Sequence, residues 1–303
     1  MKKIFCVAAI TAVFAGHASA EELWVPHVVG SDGGLATGAL PPPGFYFINT
    51  TLYAPLVVMD SKGSQTGIKA TVLLEIPSLL WAAPFKVLGA QYAAGIAQPL
   101  DDITLKPEGG SYNNINGSNP FATVLIPYVL SWNLPQNYHV ATQLNVLIPD
   151  GTWKNPTKTP AGNVTGFGFV AFEPSVAVSW LKDGWNLSFK TYVDLNTKDQ
   201  HMDYTSGNVI GTEGTIAKTF GKWTFGVNTF TQNQFTDDKG SDVAAVNGPQ
   251  AAKDGHRMQN YGLGPTVGYN FGPVILDMAW DHSIRTVNQV GGNFFYTRIV
   301  VPL

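Results

Sequence analysis

From residue 44 onwards, apolar and polar side chains alternate along the chain with a period of two. Between residues 169 and 180, one row of alternate positions is apolar, and the other carries most of the small or polar side chains. The apolar row is Val170, Phe172, Pro174, Val176, Val178 and Trp180, and the other row is Phe169, Ala171, Glu173, Ser175, Ala177 and Ser179. Because successive side chains of a strand point to opposite faces, this pattern predicts a β-strand with one oily and one more polar face.

Residues 185–196 repeat the pattern after Lys182-Asp183-Gly184, a sequence typical of a tight turn. Extended over the chain, the alternation predicts twelve strands in an all-β protein. Their predicted bounds are 44–59, 66–82, 85–99, 121–133, 137–149, 167–181, 185–198, 208–220, 222–235, 258–271, 273–286 and 293–302.

The connections between these strands alternate between short and mostly longer ones. The short ones are Ala83-Pro84, Leu134-Pro135-Gln136, Lys182-Asp183-Gly184, Gly221 and Gly272-Pro273, and the longer ones are 60–65, 100–120, 150–166, 199–207, 236–257 and 287–292. Aromatic side chains flank the short turns, as Trp180, Trp185, Phe220, Trp223 and Phe271 do. Short turns at one end, longer loops at the other and an aromatic girdle are typical of a transmembrane antiparallel β-barrel.

The first twenty residues have the features of a secretory signal peptide. Lys2 and Lys3 precede the apolar stretch Ile4–Phe14, and Ala18-Ser19-Ala20 forms a small-residue cleavage site. We therefore expect residues 1–20 to be a signal peptide, 21–43 an N-terminal extension and 44–303 the barrel. Secretion and a barrel together predict the bacterial outer membrane.

Composition excludes several other classes. Charged residues are 13% of the chain, about half of the usual ~25%, which suits a protein whose outer surface faces lipid. The single cysteine, Cys6, lies in the predicted signal peptide, so neither disulfides nor thiolate metal sites are expected. A net charge of −3 without a basic patch does not favour nucleic acid as a partner.

Residues 21–43 are rich in glycine, proline and small residues and lack the alternation of a strand. A segment of this length beside the barrel mouth either folds back as a plug of the lumen or remains in the periplasm. The plug is the interpretation that we favour, with Trp24 and His27 contacting the lumen wall. The next residues, Pro41, Pro42 and Pro43, stiffen the chain before Gly44, Phe45 and Tyr46 begin the first strand.

The sequence L-P-P-P-G-F-Y, after a glycine-rich secreted N-terminus, resembles the phenol meta-pathway degradation family of outer-membrane channels. The resemblance extends over essentially the whole mature chain. It implies a twelve-stranded barrel that is occluded by its N-terminal segment and takes up small hydrophobic molecules. Genes of this family often accompany pathways of aromatic catabolism. The chain departs from many outer-membrane barrels in ending with Val301-Pro302-Leu303 rather than with phenylalanine.

The positions that we assign to the lumen include charged and aromatic side chains. They are Glu75, Phe169, Glu173, Lys190, Tyr192, Asp194, Glu213, Phe230, Asp277 and Arg298. Charges in a narrow barrel need partners, because unpaired burial is costly, and Glu173 and Lys190 on neighbouring strands are a predicted pair. The charges either form a network that holds the plug or defines the transport path, or they serve structure alone. The aromatic side chains suit an amphipathic or apolar cargo.

Prolines inside predicted strands remove hydrogen-bond donors from the sheet. Since unsatisfied backbone groups are costly in hydrocarbon, Pro127 and Pro174 mark either local bulges or a lateral opening through which a hydrophobic cargo leaves the barrel.

The function that follows is a passive channel for small hydrophobic or amphipathic compounds, which are aromatic by resemblance. No cofactor, metal site or catalytic residue is expected. The expected partners are membrane lipid, lipopolysaccharide and a small hydrophobic ligand, and the oligomeric state stays open, with a monomer acceptable. The alternatives are a narrow porin for small polar solutes, an outer-membrane hydrolase using His139 or His282, and a structural or adhesive barrel.

Overall fold

The computed structural model describes residues 25–106, 113–114, 119–153, 166 and 168–303, and these residues form an antiparallel β-sheet. Its strands are β1 Gly44–Met59, β2 Gln65–Val87, β3 Ala90–Ala97, β4 Leu100–Lys106, β5 Asn113–Asn114, β6 Asn119–Pro120, β7 Thr123–Leu134, β8 Tyr138–Ile148, β9 Ala171–Lys182, β10 Trp185–Asn196, β11 Val209–Phe220, β12 Trp223–Gln234, β13 Gln259–Asn270, β14 Ile275–Val287 and β15 Val290–Pro302. The predicted signal peptide lies outside the described residues.

The sheet closes into a twelve-stranded barrel because β1 pairs on both of its edges. Phe47, for example, lies opposite Leu79 of β2 and Val301 of β15. From β15 the order runs back through β14 to β7 and then to β3 and β2, while β4 continues β3 along the edge of β2 and pairs with β5 and β6. Closure leaves no free barrel edge, which is the condition for a sheet to span hydrocarbon.

The two faces of the wall follow the alternation of the sequence. On β9, Glu173, Ser175 and Ser179 are buried, while Phe172 and Val176 are exposed on the outside. On β10 the inward row is more polar as well, with Ser188, Lys190, Tyr192 and Asp194 buried. The predicted inward and outward rows of these strands are therefore confirmed.

Outside the barrel wall, regular structure in the described residues is short. The helices α1, Val243–Asn247, and α2, Ala251–Asp254, lie in the loop between β12 and β13. None of the helices in the described ranges has the length and apolarity to cross a membrane.

The predicted turn at Ala83-Pro84 is wrong, since β2 continues to Val87 and the hairpin turns at Leu88 and Gly89. Both turn residues have positive φ, 53° and 78°, as a two-residue turn between twisted strands requires. Pro84 is accommodated because the register between β2 and β3 shifts between Ala82 and Lys86. A bulge of this kind accepts a residue that cannot donate a hydrogen bond.

Several other predicted bounds also need correction. The third strand was expected at 85–99, but β3 ends at Ala97 and the chain rejoins β2 as β4, inside the predicted loop 100–120. The sixth strand was expected from 167, whereas β9 starts at Ala171. The predicted loop 287–292 is a two-residue turn, Asn288-Gln289, because β15 already begins at Val290.

Glu75 was predicted to face the lumen, and this prediction is wrong. On β2 the buried inward row is Ala70, Val72 and Leu74, so Glu75 lies on the outer face. There its carboxylate accepts hydrogen bonds from Asn49 Nδ2 at 2.7 Å and Thr51 Oγ1 at 2.9 Å. Apolar residues occupy both faces of this strand. The alternation therefore could not show which of its two faces points into the lumen.

Large aromatic side chains gather on the outside at the end of the barrel that carries the short turns, hereafter the short-turn end. Those with more than two fifths of their surface exposed are Phe45, Phe85, Tyr138, Trp185, Phe220, Trp223 and Phe271. Such a row fits the interface between lipid and water, as the sequence predicts. The opposite end, with the long connections, is the loop end.

We expect that replacing Val176 with arginine destabilises the barrel in lipid. Val176 is 53% exposed in the middle of β9, and a charge on the lipid face near the bilayer midplane costs roughly 2–4 kcal/mol. Denaturant unfolding in lipid vesicles measures the free energy of unfolding, with Val176→Leu as the control. Equal stability of the two variants would contradict the assigned lipid face.

Candidate functional site

Residues 25–43, the N-terminal segment, lie inside the barrel and follow its wall. Pro41 accepts a hydrogen bond from Gln91 Nε2 at 2.6 Å near the short-turn end. Further up the lumen, His27 reaches the buried side chains of Glu173 on β9 and Glu213 on β11. The segment thus climbs from the short-turn end to the middle of the lumen.

Glu213 is the central acceptor for the upper part of the segment. One carboxylate oxygen accepts hydrogen bonds from His27 Nε2 at 2.9 Å and from the backbone N–H of Gly30 at 2.7 Å. The other oxygen accepts from the backbone N–H of Asp32 at 2.8 Å. One buried carboxylate therefore fixes three points of the segment, and hydrogen bonds to an ionised group are the strong ones.

His27 lies between two carboxylates and against an aromatic ring. Its Nδ1 is 3.2 Å from Glu173 Oε2, and the ring stacks on Tyr192 with centroids 3.7 Å apart. Since a carboxylate only accepts hydrogen bonds, contacts at both ring nitrogens favour the imidazolium form. Burial alone lowers the pKa of His27, but the Glu173 and Glu213 carboxylates outweigh it and hold this pKa well above its ordinary value.

Lys190 pairs with the N-terminal segment rather than with Glu173, its predicted partner. Its Nζ lies 2.7 Å from Asp32 Oδ2. Glu173 instead contacts His27 and accepts a hydrogen bond from Asn145 Nδ2 at 2.9 Å. The predicted pair is wrong because the sequence could not show that a third element, the segment, brings Asp32 between the two strands.

Backbone carbonyls of the segment also find donors on the wall. Arg298 on β15 donates from Nη1 to Gly33 O at 3.1 Å and from Nη2 to Ser31 O. Tyr296, on the same strand, donates to Val29 O. The segment forms no strand here. Side chains of the wall therefore donate the hydrogen bonds that its carbonyl groups would otherwise receive from a neighbouring strand.

The lower part of the segment lies so close to the wall that only glycine fits. The N–H of Gly38 donates to Ser179 Oγ at 2.8 Å, and its carbonyl accepts from Ser131 Oγ at 2.8 Å. A Cβ atom at this position would lie 2.5 Å from His139 O, well inside van der Waals contact. Glycines in residues 21–43, noted in the sequence only as composition, thus permit close packing.

His27, Asp32 and Glu213 place three possible metal-ligand atoms within 4.8 Å of one another. The Lys190 ammonium group already lies against Asp32, and a second cation in the same space would be repelled. We therefore assign this cluster to ion pairing.

The remaining predicted site residues occupy different parts of the molecule. Asp194 is buried on β10, and Asp277 points inward on β14 opposite Arg298. Phe230 packs edge-on against Phe294 with ring centroids 6.0 Å apart. Phe169 lies before β9 in an apolar cluster with Phe121, Ala122, Leu147 and Ala171. Trp24 lies outside the described residues.

The proline-rich start of the barrel has the predicted geometry in part. Pro42 O accepts a hydrogen bond from Tyr46 Oη at 2.7 Å, and Gly44 begins β1. Phe45 is exposed on the outside, so it belongs to the aromatic girdle and not to the lumen. Pro41 and Pro43 lie at the end of the segment, before the strand.

Above the segment, towards the loop end, lies an apolar pocket that the sequence did not predict. Its walls come from β1, β2, β4, β7, β8, β12, β13 and β15, and Val25–Val29 of the segment also line it. The apolar wall residues include Leu52, Ala54, Leu56, Val72, Leu74, Ile103, Val124, Leu147 and Phe294. Its empty space is about 750 Å³, including space open to solvent. No sequence signal marked the pocket, because its residues look like any strand core.

The barrel wall is irregular near this pocket. Pairing between β3 and β7 reaches only as far as Ala97 opposite Val124. Beyond that point β4 pairs with β6, the residues that lead directly into β7, so the ladder is interrupted only between Ala97 and Leu100. A backbone and a side-chain hydrogen bond span the interruption, since the N–H of Phe121 donates to Pro99 O at 2.9 Å and Thr123 Oγ1 donates to Gln98 Oε1 at 2.7 Å. We call this place the β4–β7 break.

The two prolines proposed for a lateral opening differ from each other. At Pro127 the register shifts on both sides of β7, between Leu125 and Tyr128 towards β8 and opposite Ala93–Gly95 of β3. At Pro174 the register with β8 continues unchanged, with Leu144 as its partner. The irregular wall is therefore at β7, and an opening at either proline stays a prediction.

Comparison with known proteins gives a family and a fold. A family model described as "Putative MetA-pathway of phenol degradation" matches residues 57–299. No curated protein sequence matches the chain. Among solved structures, a COG4313 outer membrane channel from Pseudomonas putida F1 superimposes with a TM-score of 0.72 at 11% identity, over 88% of this chain and 97% of that one. At this identity the similarity concerns the fold alone.

Two further structures are more distant. The β domain of the Bordetella autotransporter BrkA has a TM-score of 0.48 at 12% identity, over 86% of this chain and 100% of that one. The TodX monoaromatic hydrocarbon channel, as a deletion mutant, has a TM-score of 0.43 at 10% identity, over 88% and 91%. These scores are too low to bear on function.

We expect that His27→Phe loosens the N-terminal segment, because phenylalanine keeps the stacking on Tyr192 but loses both carboxylate contacts. The reporter is Ser31→Cys in a chain with Cys6→Ser, labelled with a maleimide. Loss of charge-assisted hydrogen bonds worth roughly 1.5–3 kcal/mol should speed labelling tenfold or more. The control is His139→Phe, because the His139 side chain contacts Asn133 on the barrel wall and not the segment. Unchanged labelling in His27→Phe would refute the role of His27.

Proposed function

This chain belongs to the family described as "Putative MetA-pathway of phenol degradation", and on that premise we propose that it is an outer-membrane channel for passive uptake of small hydrophobic or amphipathic compounds, aromatic ones among them. The barrel spans the outer membrane with membrane lipid and lipopolysaccharide around it. It acts without a cofactor or an energy source, and a monomer suffices for the path.

The observation that carries the proposal is the apolar pocket on the loop side of the N-terminal segment. Leu52, Leu74 and Ile103 are buried inside the barrel and line it. An aqueous pore would put polar side chains at such positions. Apolar walls instead favour a cargo that gains free energy by leaving water. The pocket lies towards the loop end, so that a compound arriving from outside meets it before the segment.

The N-terminal segment is the plug of this proposal. It lies across the path from the pocket to the short-turn end, and Glu213, Lys190 and Arg298 hold it in place through buried contacts. A passage straight through the barrel would require these contacts to open. The charged lumen residues of the sequence prediction therefore serve to hold the plug, and the pocket residues contact the cargo.

Lateral release is the route that avoids moving the plug. The pocket adjoins the β4–β7 break, since Pro99, Val124 and Leu147 line it at that side. The ladder there is interrupted between Ala97 and Leu100, and one backbone and one side-chain hydrogen bond close the interval. A hydrophobic compound leaving at this place enters lipid without crossing water.

A channel explains the molecule better than the hydrolase alternative. His139 contacts Asn133 Oδ1 at 2.7 Å, and His282 contacts Asn293 Oδ1 at 2.9 Å. Each histidine therefore faces an amide, whereas a hydrolase of the expected type needs a serine next to its base.

We expect that Leu74→Trp, which fills the pocket, lowers uptake of radiolabelled toluene by whole cells several-fold. Leu73→Trp on the outer face of the same strand is the matched control, since Leu73 is exposed outside and Leu74 is buried inside. Heat-modifiable migration on gels verifies that both variants form barrels. Equal uptake by the two variants would contradict the pocket as the path, and uptake of sugars in liposome swelling would favour the polar porin.

The lateral route has its own test at the β4–β7 break. Gln98 and Thr123 are replaced by cysteine in a chain with Cys6→Ser and joined by a short thiol-specific crosslinker. We expect slower toluene uptake after crosslinking, because the side chains that close the break can no longer separate. The single variant Thr123→Cys, treated with the same reagent, is the control. Unchanged uptake in the crosslinked protein would exclude release at this place.

A further inference from the structure

One charged group in the apolar pocket has no role in holding the plug. Asp101 is the second residue of β4 and lies opposite Leu74 and Asn119. It points inward, is 1% exposed and lines the pocket. Its neighbour Asp102 belongs to the outer row of the same strand. The wall thus places one carboxylate among leucine, valine and isoleucine side chains.

The Asp101 carboxylate has no protein partner in the described part of the chain. Neither of its two oxygens receives a hydrogen bond there, although both are buried. The ion pairs found among the described residues do not include it either. Burying a carboxylate without compensation is costly. A group kept at such a position is therefore available to a molecule that enters the pocket.

The other fully buried side-chain atoms of the pocket that lack partners in the described residues are acceptors as well. They are the side-chain carbonyl oxygens Oε1 of Gln232 and Gln289. The amide nitrogen of Gln232 is already used, since it donates to His27 O at 2.8 Å and to Tyr192 Oη at 2.9 Å. Both ring nitrogens of His27, which also lines the pocket, are held by carboxylates. The pocket thus offers several hydrogen-bond acceptors, while the side-chain donors of Gln232 and His27 are already occupied.

We propose that the pocket selects compounds with an apolar body and a hydroxyl group, and that the hydroxyl donates its hydrogen bond to Asp101. This inference rests on the proposed function and adds the chemical class of the cargo. A hydroxyl compound gives Asp101 a donor while its ring or chain covers the apolar wall. A plain hydrocarbon of the same shape leaves the carboxylate without a partner. A carboxylate ligand brings further hydrogen-bond acceptors and no hydrogen that it can donate to Asp101.

The energetic reason for selection is the asymmetry of buried hydrogen bonds. A site built to bond a hydroxyl discriminates against the analogue that lacks it, because its own polar group then stays dehydrated and unpaired. The apolar wall contributes equally to both analogues. Discrimination between them therefore depends on Asp101, whereas affinity for both depends on residues such as Leu74.

Phenol, toluene and benzoate test the proposal, because they share a ring and differ in one substituent. Dissociation constants are measured by ligand-observed NMR titration of the purified full-length mature protein in lipid nanodiscs. The nanodisc lipid also takes up the compounds, to the same extent for every variant. The quantity compared between variants is therefore the ratio of the dissociation constants of phenol and toluene. We expect Asp101→Leu to weaken phenol binding about tenfold or more while toluene changes less than about twofold. Benzoate should bind better to the variant than to the wild type.

Two further variants make the result decisive. Asp102→Leu, on the outer face, should keep the wild-type ratio. Asp101→Asn keeps an acceptor oxygen and the side-chain volume, so it should retain part of the preference for phenol. If Asp101→Leu does not fold, the ratio measured for Asp101→Asn tests the proposal. An unchanged phenol-to-toluene ratio in both Asp101 variants would overturn the inference.

The proposed function fails in a different way. If Leu74→Trp leaves the binding of both compounds unchanged, the pocket is not their site, and both proposals are wrong. If Leu74→Trp blocks phenol and toluene alike while the Asp101 variants keep the wild-type ratio, the pocket stands and only the selection for hydroxyl groups is wrong.

Discussion

The fold of this protein depends on one requirement, which is that backbone N–H and C=O groups find hydrogen-bond partners where water is scarce. In the wall, β1 meets this requirement by pairing with β2 and β15 at once, so that the barrel has no free edge. Inside the lumen the N-terminal segment forms no strand, and side chains take over the task. Glu213 accepts from two of its N–H groups, and Arg298 donates to two of its carbonyl groups.

This division explains why the inward rows of the barrel differ in character. On β9 to β12 they carry Glu173, Lys190, Glu213 and Asn228, which match the polar backbone of the segment. On β1, β2 and β15 much of the inward surface belongs to a buried apolar cluster, which also includes Val29 of the segment. The lumen is therefore neither a uniform aqueous pore nor a uniform hydrophobic core. One side holds the segment, and the other forms the pocket.

Much of the fold could be predicted from the sequence because a strand that separates lipid from a polar lumen has an unambiguous alternation. The strands around Lys182-Asp183-Gly184 and Gly221 have this property, and their faces and their bounds at these turns agree with the structure. Strand β2 lacks it, because leucines lie on both faces, and there the turn and the orientation of Glu75 were wrong. The alternation of a strand shows which face points inward only when the lipid and the lumen beside that strand differ in polarity.

The candidate site could be predicted only in part for a related reason. The buried charges were recognised individually, and Glu173, Lys190, Glu213 and Arg298 do point inward. Their partners could not be recognised, because they belong to a segment distant in sequence that has no regular structure of its own. The pocket and the position of the Asp101 carboxylate, which has no partner among the described residues, arise from strands brought together by closure. The sequence of a single strand shows neither the pocket nor the surroundings of Asp101.

The contacts of Arg298 have a consequence for assembly. Arg298 lies on the last strand, and the carbonyl groups that it binds belong to residues 31 and 33, near the other end of the chain. Arg298 also lies opposite Thr50 of β1, at the seam where β15 closes the barrel. One strand therefore both binds the segment and seals the cylinder, so a barrel that closes without the segment in its lumen lacks the bonds that stabilise the seam from inside.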